Sequence, residues 1–326
     1  MSRWSSCAFI VSSALLWPAS AAGAADGAYP TRPIRFIVGY PPGGSTDIAA
    51  RLTAQKLTPV FAQNIVVDNR AGASGTIGAG IVAKSEPDGH TLAFAASPEV
   101  AIYRGLMKNP PYDSLRDFQP ITLVGRVPFM LVVHPSVPAN SVKELVAAAR
   151  AKPGSLNFAS FGTGTSNHLV GEAFRAAAGI NIVHIPYKGS APAIADLLGG
   201  QVQMTFDTVP VAMPQIRGGK LKALAVATPK RSPLAPDVPT MGEAGVPGFF
   251  GGTWFGLLAP ARTPAPVVDR LAREFSTILR NAEMAQTLND RGIEPSPTTP
   301  AEFRAFIEAE TRRWIKVAQD AGIKPE

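Results

Sequence analysis

Two stretches of this chain concentrate glycine, hydroxyl and other small residues where a strand gives way to a helix. The first is Gly39-Tyr40-Pro41-Pro42-Gly43-Gly44-Ser45-Thr46-Asp47. Glycines let a backbone approach a ligand closely, and the first turn of a helix presents unpaired N–H groups with a partial positive charge. Together they make an anion cradle. Gly39 and Gly44 have the spacing of a nucleotide-binding loop, but Ser45 stands where the phosphate-binding lysine belongs, so nucleotide hydrolysis is not expected. The same residues also suit a tight turn with Ser45, Thr46 or Asp47 as helix cap. Asp47 suits the cap better, because its charge repels an anion.

The second stretch, Phe158-Ala159-Ser160-Phe161-Gly162-Thr163-Gly164-Thr165-Ser166-Asn167-His168-Leu169, repeats the design about 120 residues later. A dinucleotide fingerprint requires glycine at 167, where Asn167 stands. What is left is a loop of neutral donors: Thr163, Gly164, Thr165 and Ser166. His168 sits near the helix start, where histidine serves structural hydrogen bonding more often than ligation or base chemistry. Parallel α/β sheets bind ligands at the C-terminal ends of their strands. One such loop in each of two domains would hold a compact acid from both sides.

Smaller loops follow the same logic: Ala71-Gly72-Ala73-Ser74-Gly75-Thr76, Ala96-Ser97-Pro98, Pro186-Tyr187-Lys188-Gly189-Ser190 and Asp207-Thr208. Each also reads as a plain turn, and Lys188 is expected to face solvent. A serine hydrolase would need a G-x-S-x-G elbow, and Gly164-Thr165-Ser166-Asn167-His168 lacks the last glycine. The four histidines have no H-x-x-x-H spacing, so no zinc site is expected, and no cofactor either.

These loops need a scaffold of alternating strands and helices. Strand-like runs occur at residues 34–38, 65–67, 91–94, 130–133, 156–159, 182–185, 204–206 and 221–226, with helical stretches at 141–150, 167–178 and 191–198. That alternation implies α/β architecture with parallel sheets covered by helices. Residues 265–279 and 301–321 read as amphipathic helices, with Phe303, Phe306, Ile307 and Trp314 as a core stripe. Two Gly/Pro-interrupted segments, 122–129 and 245–252, look like domain crossings. They divide the chain into a discontinuous domain, 25–127 with 250–326, and an inserted domain, 128–249.

The composition excludes other classes. The 326 residues can bury a large core, and a single cysteine rules out a disulfide framework within the chain. The charged fraction of 17% is too low for a disordered chain. Lys and Arg, 31 against 24 acidic residues, are spread along the sequence rather than blocked, so no nucleic-acid partner is expected. A basic start ending at Arg3, an apolar run over 7–17 and Ala22-Gly23-Ala24 read as an export signal, residues 1–24. Its cleavage would remove Cys7 and Arg3, leaving a cysteine-free protein in the periplasm.

Several motifs, in order, resemble one family. They are Tyr29-Pro30-x-x-Pro33-Ile34-Arg35, Pro41-Pro42-Gly43-Gly44-Ser45-Thr46-Asp47, Pro87-Asp88-Gly89-His90-Thr91-Leu92, Phe161-Gly162-x-Gly164-Thr165-x-x-His168-Leu169, Pro186-Tyr187-Lys188-Gly189 and Pro239-Thr240-Met241-x-Glu243-Ala244-Gly245. The chain thereby resembles the tripartite tricarboxylate transporter solute receptors, the Bordetella uptake gene family of periplasmic binding proteins. The resemblance implies a type II periplasmic binding protein: two lobes, each a central β-sheet flanked by helices, joined by a two-segment hinge. It implies a monomer that takes a mono- or dicarboxylate, aromatic acids included, and delivers it to integral membrane transporter subunits. Carried onto this sequence, it places Tyr40, Gly43, Gly44, Ser45, Thr46 and Asp47 on one wall, and Thr163, Gly164, Thr165, Ser166 and His168 on the other. Ser97, Tyr187 and Asp207 fall near the variable part of the pocket, and Ala71 departs from the proline common in the family's third loop. Phe161, Phe249, Phe250 and Trp254 read either as an aromatic wall or as hinge packing. A ligand sensor for a membrane signalling partner is the alternative output, and a serine-type hydrolase the more distant one.

Overall fold

Apolar runs bounded by glycine and proline fold as strands, and stretches with an apolar residue every third or fourth position fold as the helices between them. The computed structural model describes residues 29–320 with Met1, Gly322 and Ile323, so the expected export signal lies, apart from Met1, outside the described residues. The first series is β1 (Ile34–Val38), α1 (Ser45–Phe61), β2 (Ile65–Asn69), α2 (Thr76–Ala83), β3 (Thr91–Ala96) and α3 (Tyr103–Leu106). The long strand β4 (Phe118–Val133) leads into α4 (Val142–Ala151), β5 (Asn157–Ser160), α5 (Ser166–Ala178) and β6 (Val183–Pro186). There follow α6 (Ser190–Leu198), β7 (Met204–Thr208), α7 (Val209–Arg217) and β8 (Lys222–Val226). The chain closes with β9 (Gly252–Pro260), α8 (Ala265–Arg280), α9 (Ala282–Asn289), β10 (Glu294–Pro295) and α10 (Pro300–Asp320).

One sheet has β1 between β2 and β3 in parallel, with β9 antiparallel to β3. The other has β5 parallel to both β6 and β7. Strand β4 belongs to both. Its residues up to Pro128 pair antiparallel with β9, and from Phe129 onward it pairs antiparallel with β7, and from Met130 with β8. The sheets are therefore mixed, not parallel throughout as the alternation implied. Residues 122–129, read as a domain crossing, are strand. Gly125 is needed there because a Cβ would lie 2.9 Å from the Glu294 carbonyl of the neighbouring β10.

Three apolar layers hold these elements. Phe36, Phe94 and Phe255 of the first sheet pack under Leu57 of α1, Phe275 of α8 and Leu288 of α9. Behind the second sheet, Met130 and Val132 meet Ile194 and Leu197 of α6 and Val209 of α7. The remaining layer is continuous across both sheets and includes Phe158, Phe174, Phe206 and, from α10, Phe303, Ile307 and Trp314. The expected C-terminal stripe is therefore core, with Phe306 half-buried at its edge.

Candidate ligand-binding site

Helices α1, α5 and α6 begin at Ser45, Ser166 and Ser190, behind Gly44, Thr165 and Gly189, and none has a side chain capping its first turn. Their first N–H groups keep the partial positive charge of an uncapped helix start. All three starts meet at one small cavity of about 30 Å³, with Gly44, Ser45, Thr46, Thr165, Ser166 and Ser190 on its wall. Tyr40, Phe161 and Thr253 also line it, and no lysine, arginine, aspartate or glutamate does. It is a neutral, donor-rich space.

Asp47 works from behind the first loop. Its carboxylate accepts from the Gly43 N–H at 3.0 Å, from Arg51 Nε at 3.0 Å and from Asn69 Nδ2 at 3.0 Å. Burial alone would raise its pKa, but the bonds from Arg51, Gly43 and Asn69 outweigh burial and hold the carboxyl below its ordinary range. Those bonds fix Gly43 in a left-handed conformation, φ +86°, that glycine adopts without strain. Gly39 has a different reason: a Cβ there would sit 2.6 Å from the Gly75 Cα, so the first and third loops touch backbone to backbone. The nucleotide-loop spacing of Gly39 is thus a packing requirement.

The second loop is also organised from within. Thr165 Oγ1 lies 2.7 Å from both the Gly162 carbonyl and Asn167 Oδ1, and the Phe161 N–H donates to Asn167 Oδ1 at 3.0 Å. His168 Nδ1 accepts the Gly164 N–H at 3.1 Å, and its ring stacks on His184 with centroids 4.0 Å apart. Burial pushes both imidazoles down to about 4, so at neutral pH they are uncharged. His184 Nε2 lies 2.6 Å from Ser160 Oγ, but Ser160 is fully buried, so this Ser–His pair faces no substrate.

The residues singled out from sequence therefore separate into groups. Tyr40, Gly44, Ser45, Thr46, Thr165 and Ser166 line the inner cavity. Thr163 and Tyr187 line an adjoining outer cavity of about 220 Å³, and Gly164 joins Thr163 on an apolar groove beside it. Ser97 is buried, with its hydroxyl 2.9 Å from Thr253 Oγ1. Asp207 is buried under Ser190, whose hydroxyl lies 3.0 Å from each carboxylate oxygen, and burial pushes Asp207 up to about 7. Tyr187 donates its hydroxyl to Asp196 at 2.8 Å, which leaves its ring on the cavity wall.

Sequence reasoning named Ser74 and Ser190 only as members of smaller loops and left Thr253 and Glu99 out of the site. Ser74 Oγ donates to the Thr163 carbonyl at 2.6 Å across the two loops. Tyr40 Oη lies 3.1 Å from the Ser74 carbonyl and 3.0 Å from Glu99 Oε2. Glu99 is fully buried, and burial pushes its carboxyl up to about 8. The only local signal for these residues was the Gly-rich pattern around Ser74 and the glycine before Ser190. Of the four aromatic residues with two readings, Phe161 lines both cavities. Phe249 packs on Phe174 and Phe206, Trp254 donates its indole N–H to Glu310, and Phe250 is exposed.

Two sheets sharing β4, with uncapped helix starts gathered at one cavity, define a periplasmic binding protein of α/β architecture. The profile described as tripartite tricarboxylate transporter family receptor matches residues 49–323, and the chain belongs to that family. It is 40% identical over 317 residues to the protein BugT of Bordetella pertussis (strain Tohama I), covering 97% of this chain and 96% of BugT. The structure of R. palustris Rpa4515 with adipate superposes with a TM-score of 0.90 at 38% identity, covering 91% of this chain and all (100%) of that one. The periplasmic binding protein BugD gives 0.88 at 36% identity, over 91% and 100% of the two chains. MatC from Rhodopseudomonas palustris with bound malate gives 0.84 at 32% identity, over 89% and 99%. BugD is a periplasmic binding protein, and the family to which this chain belongs is one of receptors. No helix among the described residues is long and apolar enough to cross a membrane.

Proposed function

We propose that the protein is exported by a cleaved signal, residues 1–24, and captures a small mono- or dicarboxylate in the periplasm as a monomer. It then delivers the solute to the integral membrane subunits of a tripartite tricarboxylate-type transporter. The lobes are residues 25–127 with 250–326, and residues 128–249. The change of β4 partners between Pro128 and Phe129 supports that division. The observation that carries the reading is the convergence of three uncapped helix starts on a cavity without a charged side chain. Carboxylate oxygens there replace water at N–H groups and hydroxyls, and the helix dipoles favour the negative charge. An aliphatic diacid is the favoured ligand class, because relatives have adipate and malate.

Capture works through differential binding: the ligand gains contacts from the second lobe only when the lobes close, and only that surplus shifts the opening equilibrium. Neutral donors suit release as well as capture, since bidentate arginine pairing is roughly twice as strong as a neutral hydrogen bond. Purified protein stripped of carried-over solute should gain thermal stability with one or a few aliphatic diacids from a panel of mono-, di- and tricarboxylates. The absence of any shift across that panel contradicts the proposal.

A further inference from the structure

We propose that Lys188 reads the far carboxylate of a bound diacid and so makes the receptor prefer diacids over monoacids. This rests on the reading above, in which the near carboxylate occupies the helix starts. The inner and outer cavities meet at Tyr40 and Phe161, which line both. The inner wall is neutral. On the outer wall Lys188 is the one charged side chain. It is exposed, and it enters none of the ion pairs among the described residues.

The lysine also has a fixed root. The Tyr187 N–H donates to the Ser160 carbonyl at 2.9 Å on one side of it. On the other side Gly189 is wedged against the first loop, where a Cβ would meet Pro41 Cδ at 2.8 Å. The backbone of Lys188 is thereby held at the seam between the first loop and the second sheet, while its flexible stem sweeps the outer cavity. A diacid with one carboxylate inside must leave the other near that cavity. A second negative charge drawn partly out of water is costly without a partner. An unpaired ammonium at the mouth supplies one, and a monoacid with an apolar end gains nothing from it.

Calorimetric titration tests this with adipate against hexanoate and succinate against butyrate, using stripped wild type, Lys188→Met and Lys188→Arg. Lys188→Met should weaken the better-bound diacid roughly fivefold more than its matched monoacid, the scale of one solvent-accessible ion pair. It should also flatten the salt dependence of diacid affinity. Lys188→Arg should keep most of the preference. Equal losses for diacid and monoacid, or no loss for the diacid, overturn the role of Lys188 while leaving carboxylate capture intact. If wild type binds neither these four acids nor any other carboxylate of the wider panel, the capture reading itself fails and takes this inference with it.

Discussion

The Ser74 hydroxyl donates a 2.6 Å hydrogen bond to the carbonyl of Thr163, 89 residues away on the facing loop. Ser74 takes the left-handed backbone conformation, φ 53°, as does Ala73 before it, φ 45°. Such conformations cost non-glycine residues about 1–2 kcal/mol each and persist only where surrounding contacts impose them. Tyr40 braces the same loop from below through the Ser74 carbonyl. The third loop thus acts as a latch between the first and second.

Removing the latch bond should loosen the closed state. A net intramolecular hydrogen bond contributes about 1 kcal/mol, so Ser74→Ala should weaken diacid affinity roughly fivefold. Ligand-free stability should change by less than about 0.5 kcal/mol, because in the proposed cycle the lobes part without solute. Calorimetry and urea unfolding measure the two quantities. A large stability loss with unchanged affinity would make Ser74 a folding residue instead.

Asp47 should matter for stability first. Its oxygens gather the Gly43 amide, Arg51 and Asn69, so Asp47→Ala removes three hydrogen bonds from exposed or half-buried donors that water can satisfy, and should cost about 1 kcal/mol. Because its native pKa lies below the ordinary aspartate value of 3.8, its contribution is present above that pH. It fades as pH falls through the native value. Urea unfolding of wild type and variant should therefore converge toward strongly acidic pH, and a constant gap down to pH 2 contradicts the assignment.

Glu99 carries the opposite sign. The native carboxyl keeps its proton up to about 8, whereas the unfolded chain releases it above 4.5, so over that window the unfolded state binds fewer protons. Stability then falls as pH rises, by at most about 1.4 kcal/mol per pH unit for one group. Asp207 adds the same slope only below about 7. Glu99→Gln keeps an oxygen to accept from Tyr40 and should flatten the stability profile between pH 7 and 8. Retention of the wild-type slope there would place the titrating group elsewhere.

The sequence makes local pattern visible and distant pairing invisible. The loops before α1 and α5 could be read because glycine, hydroxyl and helix start lie together in each. Residues 91–94 were read as strand, but β3 runs on to Ala96, since Ala95 and Ala96 pair with Gly256 and Phe255 far along the chain. Gly125 and Pro128 look like strand breakers, yet one faces the β10 backbone and the other sits at the change of partners in β4. Helix α7 was missed because Pro210 and Pro214 lie within it, although the first occupies its opening turn, where proline lacks no bond. Asp47 and His168 have residue types that suit a site, but each accepts a loop amide four residues before it. Such orientation leaves no mark in composition. Ser74, Ser190 and Thr253 reach the cleft only through long-range packing.

Carboxylate capture between helix starts is tested most directly by a crystal structure of the stripped protein grown with the diacid that most raises its thermal stability. One carboxylate should lie within about 3 Å of the Thr46 and Ser166 amides, between the loops that Ser74 joins. A diacid held instead by Arg126 and Arg313, in the separate pocket beside Gly251 and Gly252, with its carboxylates away from those helix starts, would contradict it.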